Sequence, residues 1–439
     1  MNKSATVTNV SKLVLGMAGA LVIVSAQAQT EMTCPSGLPA GVTCYNGKDE
    51  NGAFYFIAKP ANWNNMLVVH AHGGPSDFGP EKLDSAIRPA VNFQVVVREG
   101  YAWASTSYRR GGYGVRMGAE DVDNARKVFI AAFGKPHRTI VHGQSYGGSV
   151  AARLVEIHGA NYDGAMFTSG VVSGATRFYS TRADMRAVYQ YYCNNHPRPE
   201  EPQYPLWSGL PLDSKMTAKD VEERLNECTG IRLAAAQRSD QQKQNLANIL
   251  NVTRTPERTF IINMDRATFL FQDMVHRRLG GRNPFPNEGV RYTGSNDDAG
   301  LNRSVARFKA DPKAVAELAD DADPTGKVLI PTVTMHAIDD PLVPVEVDAM
   351  YREIRDQAGS GDKLVQTFTD EHVHPKLGTP QYAVLLAALR EWMDAGHKPT
   401  PQSISDSCGK FAEVYGEPCL FLPEYQPKSF WSRVYRRTQ

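Results

Sequence analysis

The chain has 439 residues, of which 48 are Lys or Arg, 47 are Asp or Glu and 42% are hydrophobic, and its formal net charge is +1. This balance of charges argues against a nucleic acid as a dedicated partner. The apolar fraction is ample for a large core, and the length fits either two or three domains or a single α/β core with insertions.

The first 28 residues have the organisation of a secretory signal peptide. Lys3 and Lys12 precede an apolar run at 13–24, and Ala26-Gln27-Ala28 forms an A-x-A cleavage site. A membrane anchor is the alternative, but this run is shorter than the roughly 20 apolar residues that span a bilayer, and no later run reaches that length. We therefore expect a bacterial protein that is exported to the periplasm or the medium and is not stably inserted in a membrane.

Strands and helices alternate from the predicted mature end to residue 173. The segment 66–71 (M-L-V-V-H-A) is an unbroken apolar strand, which suits a sheet covered on both faces. The alternation predicts right-handed crossovers and a mostly parallel sheet with helices on both sides. The other elements predicted in this part are strands at 53–58, 101–108, 138–142 and 164–168 and a helix at 119–133.

The pentapeptide Gly143-Gln144-Ser145-Tyr146-Gly147 (G-x-S-x-G) lies between a predicted strand and a small-residue helix start. A strand-turn-helix of this kind holds its serine on a strained turn, and the flanking glycines let strand and helix approach closely enough to expose the hydroxyl. The motif in this setting predicts a nucleophile elbow with Ser145 as nucleophile. An ordinary glycine-rich turn is the alternative.

The regular alternation stops after residue 173 and resumes with strands at 328–337 and 363–369 and a helix at 380–395. The stretch between has helical patches separated by Pro- and Asn-rich connectors. We expect a core at 29–173 and 326–398, a mainly helical cap inserted at 174–325 and a C-terminal extension at 399–439. Most of the aromatic side chains of the cap are expected to form its own core, with one or two reaching the site: Tyr189, Tyr191, Tyr192, Trp207, Phe269 and Phe271.

The six cysteines all follow the predicted signal peptide, and their even number agrees with export, since disulfides form in oxidising compartments. They form no C-x-x-C pair, so neither a zinc site nor dithiol redox chemistry is indicated. Pairing between sequence neighbours is our prediction, and buried free thiols are the alternative. The expected pairs are Cys34 with Cys44, Cys193 with Cys228, and Cys408 with Cys419.

A serine hydroxyl is a weak nucleophile until a histidine takes its proton, and that histidine needs a carboxylate to fix its tautomer. Asp339 and Asp340 follow one late strand, and His372 and His374 follow the next, so acid precedes histidine as in α/β hydrolases. Here the chain resembles the α/β-hydrolase superfamily, over 53–170 and 328–396. Its acid often lies in a D-x-x-V-P run; this spacing matches Asp340 and leaves Asp339 as a helix cap.

The same resemblance indicates which of the two histidines is the catalytic base. The superfamily's catalytic histidine comes almost immediately after the last strand and several residues before a helix-starting proline, which favours His372, with Pro380 as that proline. His374, held extended by Pro375, is the alternative base. His142 and His336 are expected to face the core.

The oxyanion hole is expected at His72-Gly73-Gly74-Pro75, which resembles the superfamily's H-G-G loop. Pro75 has no N–H group, so Gly74 is the expected donor in this loop. The amide of Tyr146, directly after the nucleophile, is expected to be the second donor. A plain tight turn is the alternative.

The resemblance implies a serine hydrolase that cleaves a small or oligomeric carboxylic ester through an acyl-enzyme, with no metal or organic cofactor. The H-G-G-P and G-x-S-Y-G-G strings are also similar to those of proline-iminopeptidase-type peptidases, so an aminopeptidase with the same triad is the alternative. It requires a cap carboxylate for the substrate's amine, and Glu222, Glu223 and Glu227 form too ordinary a charged helix face for that role. A non-catalytic binding protein is the third hypothesis. The sequence carries no signal for an oligomeric state.

Overall fold

The computed structural model describes Met1 and residues 29–75, 82–374 and 376–437. The predicted signal peptide, apart from Met1, lies outside the described residues. Pro375, expected to hold His374 extended, lies outside them as well.

The centre of the described chain is a nine-stranded sheet. Its strands are β1 (Thr30–Met32), β2 (Val42–Lys48), β3 (Phe54–Pro60), β4 (Met66–Ala71), β5 (Ala102–Thr106), β6 (Arg138–Gln144), β7 (Gly164–Thr168), β8 (Thr332–Ala337) and β9 (Leu364–Thr369). Their spatial order is β1-β2-β3-β5-β4-β6-β7-β8-β9. The pairs from β1 to β5 in this order are antiparallel, and all pairs from β5 to β9 are parallel. The sheet is therefore mostly parallel, as the sequence predicts.

Helices fill the connections between the strands. They are α1 (Leu83–Asn92), α2 (Val95–Arg98), α3 (Val115–Phe133), α4 (Tyr146–His158), α5 (Ala175–Phe178), α6 (Ser180–Cys193), α7 (Ala218–Thr229), α8 (Asp240–Thr253), α9 (Phe260–Asp265), α10 (Asp298–Ser304), α11 (Pro312–Ala322), α12 (Glu346–Gln357), α13 (Thr379–Ala395) and α14 (Pro401–Tyr415). Two π-helical segments, Arg266–Leu270 and Gln272–Arg278, follow α9.

The two faces of the sheet are covered by different helices. Side chains of β4 alternate between the faces: Leu67 and Val69 belong to the cluster with α3, α4 and α12, whereas Met66 and Val68 belong to the cluster with α1, α13 and α14. Every residue of β4 is buried, which explains its unbroken apolar sequence. The chain thus has the α/β-hydrolase fold, with a serine turn after the central strand β6.

The stretch between β7 and β8, where the cap was expected, contains helical elements only, and all of its residues are described. These helices share a hydrophobic cluster of their own, which includes Tyr189, Phe260 and Tyr292. Tyr191, Tyr192, Trp207 and Phe269 pack against that cluster, and Phe271 belongs to the cluster of the core. The stretch therefore has an apolar core separate from that of the sheet.

The C-terminal residues connect the sheet edge to this helical stretch. The amide of Leu422 donates to the carbonyl of Phe368, and that of Asp370 donates to Leu420, both at 2.8 Å, so the chain pairs with the end of β9. Tyr435 then enters the hydrophobic cluster of the cap helices, and Arg437 forms a 2.7 Å ion pair with Asp184 of α6. These contacts were not predicted from the sequence, which indicated only an extension.

The three predicted disulfides are present: Cys34–Cys44, Cys193–Cys228 and Cys408–Cys419. The second joins the end of α6 to α7. Within the described ranges, no helix has the length and hydropathy needed to cross a membrane.

Candidate active site

Ser145 occupies the turn between β6 and α4 with φ of 57°, a left-handed conformation that is uncommon for a residue other than glycine. The neighbouring glycines are required by close packing. A Cβ atom on Gly147 would lie 2.0 Å from the carbonyl oxygen of Ala71, and one on Gly143 would lie 2.3 Å from the carbonyl oxygen of Gly147. Strands β4 and β6 and the helix therefore meet at contact distance, and the turn between them presents the serine.

The structure brings Ser145, His374 and Asp340 together. His374 Nε2 lies 2.9 Å from Ser145 Oγ, and His374 Nδ1 lies 2.7 Å from Asp340 Oδ2. The side chains of His374 and Asp340 are almost completely buried. A neutral imidazole that donates from Nδ1 to the carboxylate has its Nε2 lone pair free to accept the serine proton.

The position predicted for His372 is wrong, and the alternative, His374, lies beside the serine. His372 Nδ1 lies 2.7 Å from Asp339 Oδ2, and both side chains are largely exposed. The reason is the preceding residue, Glu371, whose carboxylate accepts from the amide of Gly378 at 2.9 Å and from Gln381 Nε2 at 2.8 Å. Because Glu371 is held at the start of α13, His372 lies at the surface. His374, two residues later, is the histidine that contacts Ser145.

Asp339 does not cap a helix as expected. It pairs with Arg258 as well as with His372, and the N-cap residue of α12 is Val345. Asp340 accepts hydrogen bonds from the amides of Leu342 and Val343 through Oδ1, at 2.7 and 2.9 Å. These amides fix the carboxylate in the tight turn after β8, and its second oxygen remains available for His374.

A second buried histidine, His336 on β8, lies behind Asp340. Its Nε2 lies 3.5 Å from Asp340 Oδ2 and 2.9 Å from the carbonyl oxygen of Val343, and its Nδ1 lies 2.6 Å from Asp348 Oδ2. Burial would lower the pKa of His336, but the carboxylates of Asp348 and Asp340 raise it to about 10. Burial would likewise raise the pKa of Asp340, yet the hydrogen bonds from His336 and His374 lower it below its usual range. The candidate acid is therefore held in its ionised form.

The buried His336 cation predicts a stability that depends on pH. Its pKa in the folded chain, about 10, exceeds the roughly 6.5 of an unfolded histidine, so its contribution is complete below pH 6.5 and is lost as the pH rises towards 10. We expect His336→Gln to lower the free energy of unfolding by about 3–5 kcal/mol at pH 7, because two buried carboxylates lose their partner. Urea unfolding followed by tryptophan fluorescence at pH 7 and pH 10 measures this difference, which should shrink at the higher pH.

The control is His142→Gln. His142 is equally buried, but desolvation lowers its pKa to about 3, so it is neutral across this pH range. The stability difference caused by its replacement should be the same at pH 7 and pH 10. A His336→Gln protein as stable as the wild type at pH 7 would contradict the assignment of a charged His336.

The loop after β4 lies against the serine turn. A Cβ on Gly73 would be 3.3 Å from Ser145 Cβ and 2.6 Å from Gln144 Oε1, so a larger residue there would displace the Gln144 side chain. Tyr108 supports the loop by donating from its hydroxyl to the carbonyl oxygen of His72 at 2.9 Å. Gly74 follows in this loop, and Tyr146 is the first residue of α4, where backbone N–H groups have no partner within the helix. Both residues line the same cavity as Ser145 and His374.

This cavity has a volume of about 470 Å³. Its apolar wall includes Phe178, Tyr179 and Leu270 from the helical stretch between β7 and β8, and none of the six cap aromatics singled out in the sequence contributes to it. Four cationic residues complete the lining: Arg88, Arg182, Arg266 and Lys376. The described lining residues include no Asp or Glu.

Sequence reasoning missed three residues at this site. Gln144 Nε2 lies 3.4 Å from His374 Nε2, next to the serine it precedes in the chain. Arg182 and Arg266 enter the cavity from two different helical elements of the stretch between β7 and β8. Only the position of Gln144 inside the G-x-S-x-G motif offered a signal, since the two arginines lie in segments without a recognisable motif.

No model of a known protein family matches this chain, and no curated protein is similar to it. Solved structures match this chain at low sequence identity. Feruloyl esterase B from Aspergillus oryzae is 12% identical with a TM-score of 0.43, and the alignment covers 85% of this chain and 87% of that one. A highly thermostable carboxyl esterase from Bacillus coagulans is 13% identical with a TM-score of 0.38, with 81% and 98% covered. A serine hydrolase from Cycloclasticus zankles is 11% identical with a TM-score of 0.39, with 81% and 99% covered.

Proposed function

We propose that this chain is an exported serine hydrolase that cleaves carboxylic esters. The observation that carries the proposal is the continuous hydrogen-bonded series from Asp340 through His374 to Ser145 Oγ, at 2.7 and 2.9 Å, on the wall of a cavity. A base within hydrogen-bond reach of a serine, itself oriented by a carboxylate, is the arrangement that nucleophilic catalysis requires. The three disulfides support an oxidising compartment and therefore export.

The reaction begins when Ser145 Oγ attacks the ester carbonyl while His374 Nε2 takes the hydroxyl proton. Asp340 stabilises the imidazolium that forms, and the amides of Gly74 and Tyr146 donate to the oxyanion of the tetrahedral intermediate. The intermediate collapses, the C–O bond to the alcohol breaks, and His374 returns the proton to the leaving oxygen. A water molecule, deprotonated by His374, then attacks the acyl-enzyme. The acyl bond to Ser145 Oγ breaks, His374 returns the proton to Oγ, and the acid is released.

An ester is favoured over a peptide with a free amino terminus because the described cavity lining contains no carboxylate for an ammonium group. The acidic residues considered in the cap are ion-paired on α7 instead: Glu222 with Arg232, Glu223 with Lys219 and Glu227 with Arg198. None of them lines the cavity.

The proposal predicts that 4-nitrophenyl acetate and butyrate are hydrolysed with a higher kcat/KM than alanine and proline 4-nitroanilides. It also predicts that a fluorophosphonate probe labels the protein at Ser145, identified by peptide mass spectrometry. Turnover of anilides above esters would support the aminopeptidase. Absence of both ester turnover and labelling would support a non-catalytic protein and overturn the proposal.

A further inference from the structure

The described lining of the cavity beside Ser145 is cationic although the chain as a whole has a net charge of only +1. Arg88, Arg182, Arg266 and Lys376 face it without an Asp or Glu among the described lining residues. A cleft lined by charges of one sign attracts ligands of the opposite sign, because its low-dielectric walls focus the field. The charge distribution therefore bears on which esters can enter.

Arg182 is the most informative of these side chains. It lies on α6 and is only 7% exposed. Its Nε donates to Asn263 Oδ1 at 3.4 Å, and its guanidinium carbon lies 5.0 Å from the ring centre of Phe178 and 5.1 Å from that of Tyr179. Aromatic faces hold the guanidinium plane in place without neutralising its charge.

No carboxylate forms an ion pair with Arg182 in the described part of the chain. Other buried arginines are compensated differently: Arg153 pairs with Glu156 at 3.0 Å, and Arg355 donates to the carbonyl oxygens of Val328 and Ser360 at 3.1 and 3.0 Å. Desolvation lowers the pKa of Arg182, and the positive charge of Arg266 lowers it further, whereas Tyr179 and the carboxylate of Asp265 partly offset the shift. Arg182 is thus a buried cation with no carboxylate at ion-pair distance among the described residues.

Arg266 brings a second positive charge to the same place. It begins the π-helical segment after α9, a rare conformation that is frequent at functional sites. Its Nη1 donates at 3.3 Å to the carbonyl oxygen of Pro75, the last residue of the expected oxyanion loop. The described residues supply no ion-pair partner for this side chain either.

Two neighbouring arginines in one cavity repel each other and are costly to desolvate, and an anion between them would relieve both costs. Guanidinium groups bind carboxylates through paired, charge-assisted hydrogen bonds. The volume of about 470 Å³ accommodates a small organic ester.

We infer that the substrate is an ester that carries a free carboxylate, which Arg182 and Arg266 bind while the ester carbonyl lies at Ser145. This inference rests on the proposed function and specifies its substrate class. Arg88 and Lys376, both exposed at the cavity, attract the same anion from solution.

The test compares each anionic ester with its neutral methyl ester. Mono-4-nitrophenyl terephthalate places the carboxylate on the acyl side, and its para geometry prevents that carboxylate from assisting hydrolysis. 4-Acetoxybenzoate places it on the alcohol side. The measured quantity is the ratio of kcat/KM for the anionic ester to kcat/KM for the neutral ester, in the wild type and in each variant, so that differences in intrinsic reactivity cancel.

Arg182→Gln and Arg266→Gln should each lower this ratio about tenfold to a hundredfold for at least one of the two substrate pairs, mainly through a higher KM. Arg277→Gln is the matched control, because Arg277 lies on the next π-helical segment, forms a 3.8 Å ion pair with Asp273 and does not line this cavity. It should leave the ratio within about twofold of the wild type. If Arg182→Gln does not fold, the ratio measured for Arg266→Gln tests the inference, because Arg266 is only half-buried.

Ratios that stay within about twofold of the wild type in both arginine variants, for both pairs, would overturn the inference while ester hydrolysis persists. Failure of the proposed function would look different, since neither neutral nor anionic esters would turn over and no fluorophosphonate label would attach. In that case calorimetric titration of the wild type and Arg266→Gln with monomethyl terephthalate still tests the anion site. Equal affinity in the two proteins would overturn it.

Discussion

Replacing Ser145 by alanine is expected to lower kcat for 4-nitrophenyl butyrate by about 10⁴-fold or more, because the substituted protein has no oxygen that can form the acyl-enzyme. Folding should be unaffected, since alanine meets the same backbone cost as serine at φ of 57° and Ser145 makes its side-chain hydrogen bond only to His374 among the described residues. Initial rates and thermal melting followed by circular dichroism measure the two effects, and fluorophosphonate labelling should disappear.

Ser149→Ala is the matched control. Ser149 lies one turn further along α4, does not line the cavity, and donates to the carbonyl oxygen of the lining residue Val171. Its loss should cost about 1 kcal/mol of stability through the missing hydrogen bond and leave labelling intact. If Ser145→Ala retained wild-type hydrolysis, the nucleophile would be elsewhere and the proposed function would fail.

His374→Ala is expected to lower kcat by about 10³- to 10⁴-fold or more, whereas His372→Ala should change it less than threefold. Only His374 reaches Ser145, while His372 forms an exposed pair with Asp339 whose removal has little energetic effect. The two histidines are two residues apart in one loop, so each variant controls for disturbance of the loop by the other. Steady-state hydrolysis of 4-nitrophenyl butyrate by both proteins provides the comparison.

Replacements of Asp340 and Asp339 should differ in the same way as those of His374 and His372. Asp340→Asn should remove most activity, because the amide cannot hold His374 in the tautomer that accepts the serine proton. Asp339→Asn should leave activity close to that of the wild type, since Asp339 contacts the surface residues Arg258 and His372. Greater sensitivity at positions 339 and 372 than at 340 and 374 would assign catalysis to the exposed pair.

Local sequence was sufficient where the chemistry depends on contacts between near neighbours. The glycines around Ser145 are spaced by the approach of β4, β6 and α4, so the motif itself encodes the turn. The D-x-x-V-P run likewise encodes the turn in which the Leu342 and Val343 amides bind Asp340. The disulfides join cysteines that are 10, 35 and 11 residues apart, and pairing of sequence neighbours predicted all three.

Sequence failed where a distant residue decides the geometry. The choice between His372 and His374 depends on Glu371 reaching Gly378 and Gln381 at the start of α13. The spacing of residues within the loop does not predict this contact. The superfamily pattern pointed to the loop that contacts Ser145, but it favoured His372, whereas the structure places His374 beside the serine.

The helical stretch between β7 and β8 shows the same limit at a larger scale. The aromatic residues singled out there pack mainly in its own core, while Phe178 and Tyr179 line the cavity. Arg182 and Arg266 come from separate helices, and their proximity follows from how those helices pack. Helix packing of this kind leaves no linear pattern that a single sequence could reveal.

The C-terminal contacts have a consequence for how substrate reaches Ser145. The same short stretch of chain pairs with β9, next to the loop of His374, and ends in the ion pair between Arg437 and Asp184 on the helix that carries Arg182. It thus links the sheet side of the cavity to the helical stretch on the other side. If the helical stretch moved away from the sheet, Tyr435 would have to leave the hydrophobic cluster and that ion pair would have to break. We therefore expect the entrance of the cavity to keep a fixed width, which limits the size of the molecules that can reach Ser145.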